Sequence, residues 1–72
     1  MNHSLFGKPR TSDVSIQAKI VELERELKKR KYVYPRLIKK NRLDRRTAEE
    51  RILVLEAILE DYYQMNREGR RA

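Results

Sequence analysis

Ten cations and two tyrosines crowd into nineteen residues of this 72-residue chain, and their chemistry is that of docking on negative charge. From Lys28 to Arg46 the cations are Lys28, Lys29, Arg30, Lys31, Arg36, Lys39, Lys40, Arg42, Arg45 and Arg46. Asp44 is the single acid among them, so the segment carries +9 while the rest of the chain sums to −2. Charge segregated in this way repels itself and costs stability, so a partner that neutralises it is expected. Tyrosine and arginine are also the residue types most enriched where binding energy concentrates. Lys31, Tyr32, Tyr34, Arg36, Lys39, Lys40, Arg42 and Arg45 are therefore the candidate partner contacts in this segment. One of Tyr32 and Tyr34 is expected to pack inward and the other to be presented. Leu37, Ile38 and Leu43 are read more simply as apolar residues capping the core.

Other chemistry finds little to stand on. Glu56, Glu60 and Asp61 cluster, but on a helix they read as a solvated acidic face. His3 lies in a polar stretch with no second ligand near it, and there is no cysteine, so neither a thiolate metal site nor a disulfide is available. A phosphate cradle needs several glycines close together, and Gly7 and Gly69 stand near opposite ends. No catalysis and no cofactor are expected.

The elements that must hold the cations follow from periodicity. Ser12, Asp13 and Ser15 offer side-chain acceptors for the free N–H groups of a helix start. Ile16, Ile20, Leu23 and Leu27 then recur at helical spacing, which predicts an amphipathic helix to about Lys31. Glu24 with Lys28 and Glu26 with Arg30 stand one turn apart, acid first, as supporting pairs. Pro35 lacks a donor and pushes Tyr34 from the α region, so a break is expected before it. A short helix from Pro35 to about Lys40 follows, stopped at Asn41, which tolerates the left-handed conformation. Asp44 caps the last helix, with Leu43 and Ala48 as a hydrophobic staple. Its stripe is Ala48, Ile52, Leu55, Leu59 and Tyr62, widened by Val54, Ile58 and Tyr63, and it should span about Arg45 to Met65.

The fold class expected is all-α: a small helical hairpin of two long antiparallel helices joined by a short helix or bend. Pro35, lying between the two stripes, argues against one continuous coiled coil. The helical domain covers residues 13–66, between a flexible N-terminal arm (1–12) and a disordered basic tail (67–72). Leu5 and Phe6, apolar residues in that polar arm, are a second candidate anchor that orders on a partner. A chain this short buries a small core, and marginal stability is expected. Its longest apolar run, Ile52–Leu55, is far below a membrane span, and the N-terminus has no signal-like apolar stretch, so a soluble intracellular protein is expected.

Two partner classes fit the cations. Nucleic acid would pair them with phosphates in a strongly salt-dependent complex, whereas an acidic protein would use them for steering and the apolar residues for holding. Glu22, Glu24 and Glu26 on the first helix, and Glu56, Glu60 and Asp61 on the last, deny either long helix a clean basic stripe. That favours protein.

The stretches L-E-R-E-L (23–27), V-Y-P-R-L (33–37) and R-x-A-E-E-R-I-x-V-L-E-A-I-L-E-D-Y (46–62) resemble small helical proteins of phages and prophages. Within that group the chain looks like the small regulators of bacterial RNA polymerase of the kind a Xanthomonas phage encodes. The likeness covers the middle and C-terminal two thirds. It implies a protein of the host bacterial cytoplasm that binds the two large catalytic subunits of the polymerase. Binding there would displace sigma, inhibit initiation and promote antitermination, without chemistry on a substrate. The motifs specify a bend rather than an activity and carry no contact positions. Emerging RNA or DNA would be a further partner, and the free protein is expected to be monomeric. A direct DNA- or RNA-binding protein, an anti-defence factor or an oligomerisation module are the alternatives.

Overall fold

The computed structural model describes residues 10–71. A 3₁₀ turn at Thr11–Asp13 leads into helix α1, Ile16–Lys39, and a short loop joins it to helix α2, Arg45–Arg71. The helices pack against one another, early residues of α1 beside late residues of α2, as an all-α antiparallel hairpin. Leu5 and Phe6 lie outside the described residues.

Local signals set the helix ends. Ser15 accepts the Ala18 N–H at 3.0 Å and opens α1. At its other end the Arg42 and Asn41 N–H groups donate to the carbonyls of Leu37 and Ile38 at 2.8 and 3.0 Å. Asn41 has φ of +58°, so this is the left-handed closure that stops a helix by satisfying its last carbonyls. Three residues on, Asp44 takes the Thr47 N–H at 3.1 Å and opens α2. Ala48 is 3% exposed and Leu43 half-buried, consistent with the staple.

Pro35 does not break the helix. It sits inside α1, so the expected separate segment from Pro35 to Lys40 is the last part of one 24-residue helix. An interior proline costs about 3 kcal/mol, and it leaves the Lys31 carbonyl without its N–H donor. Past Pro35, the helical path keeps Tyr34 buried and Leu37 and Ile38 half-buried over α2. Each such side chain gains up to about 1.5–3 kcal/mol when fully covered, enough together to offset the proline. Helix α2 likewise runs past the expected end at Met65, with Asn66 half-buried within it.

The core is thin. Ile20, Leu27 and Leu59 form its buried cluster, edged by Ile16, Leu23, Ile52, Leu55, Tyr62 and Tyr63. Tyr34 and Ala48 close it at the loop end. Val54 and Ile58, expected to widen the stripe, instead point outward at 58% and 38% exposure. Two helices give each other one covered side only, and residues a quarter turn off that seam stay wet. Neither helix is long and apolar enough to cross a membrane.

Candidate cationic docking face

Because α1 continues through Pro35, the basic segment is not gathered at a bend. Lys28 to Lys39 occupy the last turns of one continuous helix, and Lys40, Arg42, Arg45 and Arg46 continue into the loop and the start of α2. Helical spacing then decides direction. Lys29, Tyr32, Arg36 and Lys40 follow one another at three or four residues, on the side of α1 opposite Ile20, Leu27 and Tyr34. Lys28 and Lys39 flank them, and every one of these side chains is exposed. At 1.5 Å per residue the ladder is about 18 Å long. No acid occurs in α1 beyond Glu26. The acids of the first helix all stand in its earlier half, so its later half does carry the clean basic stripe that the sequence denied it.

The protein's own carboxylates neutralise little of it. Arg30 bonds Glu26 at 2.7 Å, Lys31 reaches across to Glu56 at 3.0 Å, and Arg46 lies 3.6 Å from Glu50. Among the described residues, Lys28, Lys29, Arg36, Lys39, Lys40, Arg42 and Arg45 have no carboxylate partner. Arg36 and Lys39 stand in the last turn, where cations complement the negative end of the helix dipole by about 0.3–1 kcal/mol each. That structural role reaches neither Lys28 nor Lys29, which lie more than a turn further back.

The tyrosine pair divides. Tyr34 is 7% exposed, and its hydroxyl takes a 2.8 Å bond from Arg30, which Glu26 braces from the other side. These bonds, that to Tyr34 first and that to Glu26 next, raise the pKa of Arg30 above its usual value and fix its charge. Tyr34 is thus a core residue and leaves the docking set. Tyr32 is 64% exposed, with the Arg36 guanidinium 4.4 Å from its ring centre and bonded to its hydroxyl. This stacked pair is held in place at the centre of the ladder, so little side-chain freedom is lost when a partner covers it. Of the remaining candidates, Lys31 faces the groove between the helices and Arg45 borders the same groove at the loop end. Lys28 and Lys29, absent from the candidate contacts, belong to the ladder. Only the continuity of α1 reveals them.

Among the described residues no group of histidine and acidic side chains could hold a metal ion. Comparison with family models, curated proteins and solved structures finds no match to this chain.

Proposed function

We infer that this chain is a non-catalytic binding protein that docks the outer face of α1 on an acidic partner. The observation that carries this reading is the ladder Lys28, Lys29, Arg36, Lys39 and Lys40, exposed around Tyr32 and unpaired by the chain's own acids. A protein with a small core tolerates such self-repulsion where binding relieves it. Within that class the particular reading is a phage regulator of transcription that binds the large subunits of host RNA polymerase, blocks initiation and promotes antitermination. It is supported by the sequence resemblance over residues 23–62 and by the fit between a cationic helix and acidic protein surface. Affinity capture from bacterial lysate, at low and physiological salt, tests it. The large polymerase subunits are the expected prey, and recovery of no polymerase subunit at either salt removes the reading.

The continuity of the ladder along one helix favours one second reading, direct binding of DNA or RNA. A helix with one cationic side lies along a row of phosphates, and its affinity falls steeply with salt. Gel shifts at low ionic strength separate the two: strong binding of naked nucleic acid supports the second, and none supports the first.

A further inference from the structure

Beside the cationic ladder, with Lys28 on the shared edge, one flat face of the hairpin carries a continuous groove. Three shallow depressions of about 400, 520 and 390 Å³ adjoin along it and share Leu27, Lys31, Leu53, Leu59 and Tyr63. Its floor is apolar, and Leu53 stands in it 67% exposed. Its two rims are opposite in charge. Glu24, Lys28 and Lys31 line the α1 side, a net positive rim, and Arg45, Glu49, Glu56 and Glu60 the α2 side, a net negative one. The 3.0 Å bridge from Lys31 to Glu56 shows that these rims stand level with one another along the hairpin.

We propose that this groove is the interface of a homodimer, in which two hairpins pack face to face as a four-helix bundle. A second copy fits because the rims select their own complement. Rotation about a two-fold axis parallel to the helices lays α1 of one copy over α2 of the other, with both loops at the same end. Lys28 and Lys31 then meet Glu60 and Glu56 of the second copy at matching heights. Rotation about the perpendicular axis lays α1 on α1 and α2 on α2, and gives up the pairing of Lys28 and Lys31 with Glu60 and Glu56. The dimensions agree: a face about 36 Å long and two helices, about 20 Å, wide offers on the order of 700 Å². Stable interfaces bury roughly 800 Å² per partner. On the opposite face Glu26 and Arg30 neutralise each other. In this arrangement Lys29, Tyr32, Arg36 and Lys40 point away from the second copy and stay free, and of the docking ladder only Lys28 is shared with the dimer. The dimer replaces the free monomer that the sequence suggested.

Sedimentation equilibrium over a range of concentrations reads the outcome directly. The wild-type chain is expected at twice the mass of one chain, and Leu53→Glu, at an exposed position, at the mass of one with its helical signal intact. A wild-type mass of one chain at every concentration up to millimolar overturns the proposal, as does a Leu53→Glu chain that stays dimeric. If Leu53→Glu loses its helices, Glu60→Lys serves instead: it is expected to halve the mass, and adding Lys28→Glu to restore it. Failure of that restoration overturns the arrangement. Zero-length cross-linking of mixed light and heavy-isotope chains should join Lys28 to Glu60 between labels, and links confined to one label would count against it.

Discussion

The backs of the two helices, built at similar length on the same core, differ in kind. That of α1 over its last turns is all cation around one stacked tyrosine. That of α2 exposes Val54, Ile58 and Met65, interspersed with Asp61. Neither pattern is required by the core, which takes only the opposite side of each helix. An exposed apolar residue is ordinary in a small protein, where there is not enough polar surface to cover the whole. An unbroken cationic row is not, because each added charge raises the cost of the next. The difference teaches that the outer cations of α1 beyond Glu26 are not accounted for by the core, whereas Leu27 and Tyr34 on its inner side are.

The sharpest way to break the comparison is to ask whether the back of α2 is as dispensable to the fold as its exposure implies. Leu59→Ala, in the buried cluster, should cost about 2–5 kcal/mol, enough to abolish most of the helical circular dichroism of a marginal hairpin. Val54→Ala should cost less than about 0.5 kcal/mol. Equal losses would mean that the back of α2 is covered too, and the contrast would fall.

Pro35 tests α1 without touching its charge. Pro35→Ala restores a donor to the Lys31 carbonyl and should stabilise the hairpin by about 2 kcal/mol, after allowing for the freedom alanine adds to the unfolded chain. Since 1 kcal/mol moves the melting midpoint of so small a domain by about 4–8 °C, the rise is easily seen in a thermal scan. Next in size is the charge itself. Changing Lys29, Arg36 and Lys40 together to Gln should weaken capture of the acidic partner proposed above at least about tenfold, a loss of about 1.4 kcal/mol, with helicity unchanged. Asp61→Asn, on the back of α2, should leave capture within about twofold. If the two variants lower binding alike, the docking face is not confined to α1.

Much of this architecture was legible in the sequence, and the exceptions share a cause. Ser15, Asn41 and Asp44 act through atoms within four residues of themselves, so their helix ends could be read locally. The buried stripes could be read because helical period is a property of one segment. Pro35 misled because its local penalty is outweighed by the burial of Tyr34 and the partial cover of Leu37 and Ile38, a balance struck between segments. That misreading spread. With α1 ended early, the phase of Tyr32 and Tyr34 was undetermined, and Lys28 and Lys29 had no common face with Arg36 and Lys40. Glu24 was paired on paper with Lys28, its neighbour one turn on. In the fold its carboxylate accepts instead from Tyr63, 39 residues away, a partner no short-range rule proposes.

That Glu24 to Tyr63 bond, at 2.5 Å, fastens the open end of the hairpin, where Lys19 also lies 5.6 Å from the ring centre of Tyr62. The bond to Glu24 raises the pKa of the Tyr63 hydroxyl above its usual 10.0, and partial burial adds to the rise. A raised pKa in the folded state means that the proton is bound more tightly there than in the unfolded chain. The stabilisation is therefore fully present below about pH 10, and it is lost as pH climbs through the folded value. The group is solvent-screened, so the effect is the smallest of the series. Tyr63→Phe should remove it: the variant's melting midpoint should lie slightly below wild type at neutral pH and converge on it in strong alkali. A gap that persists or widens above pH 10 would show that the ring edge, and not the proton shared with Glu24, holds the open end closed.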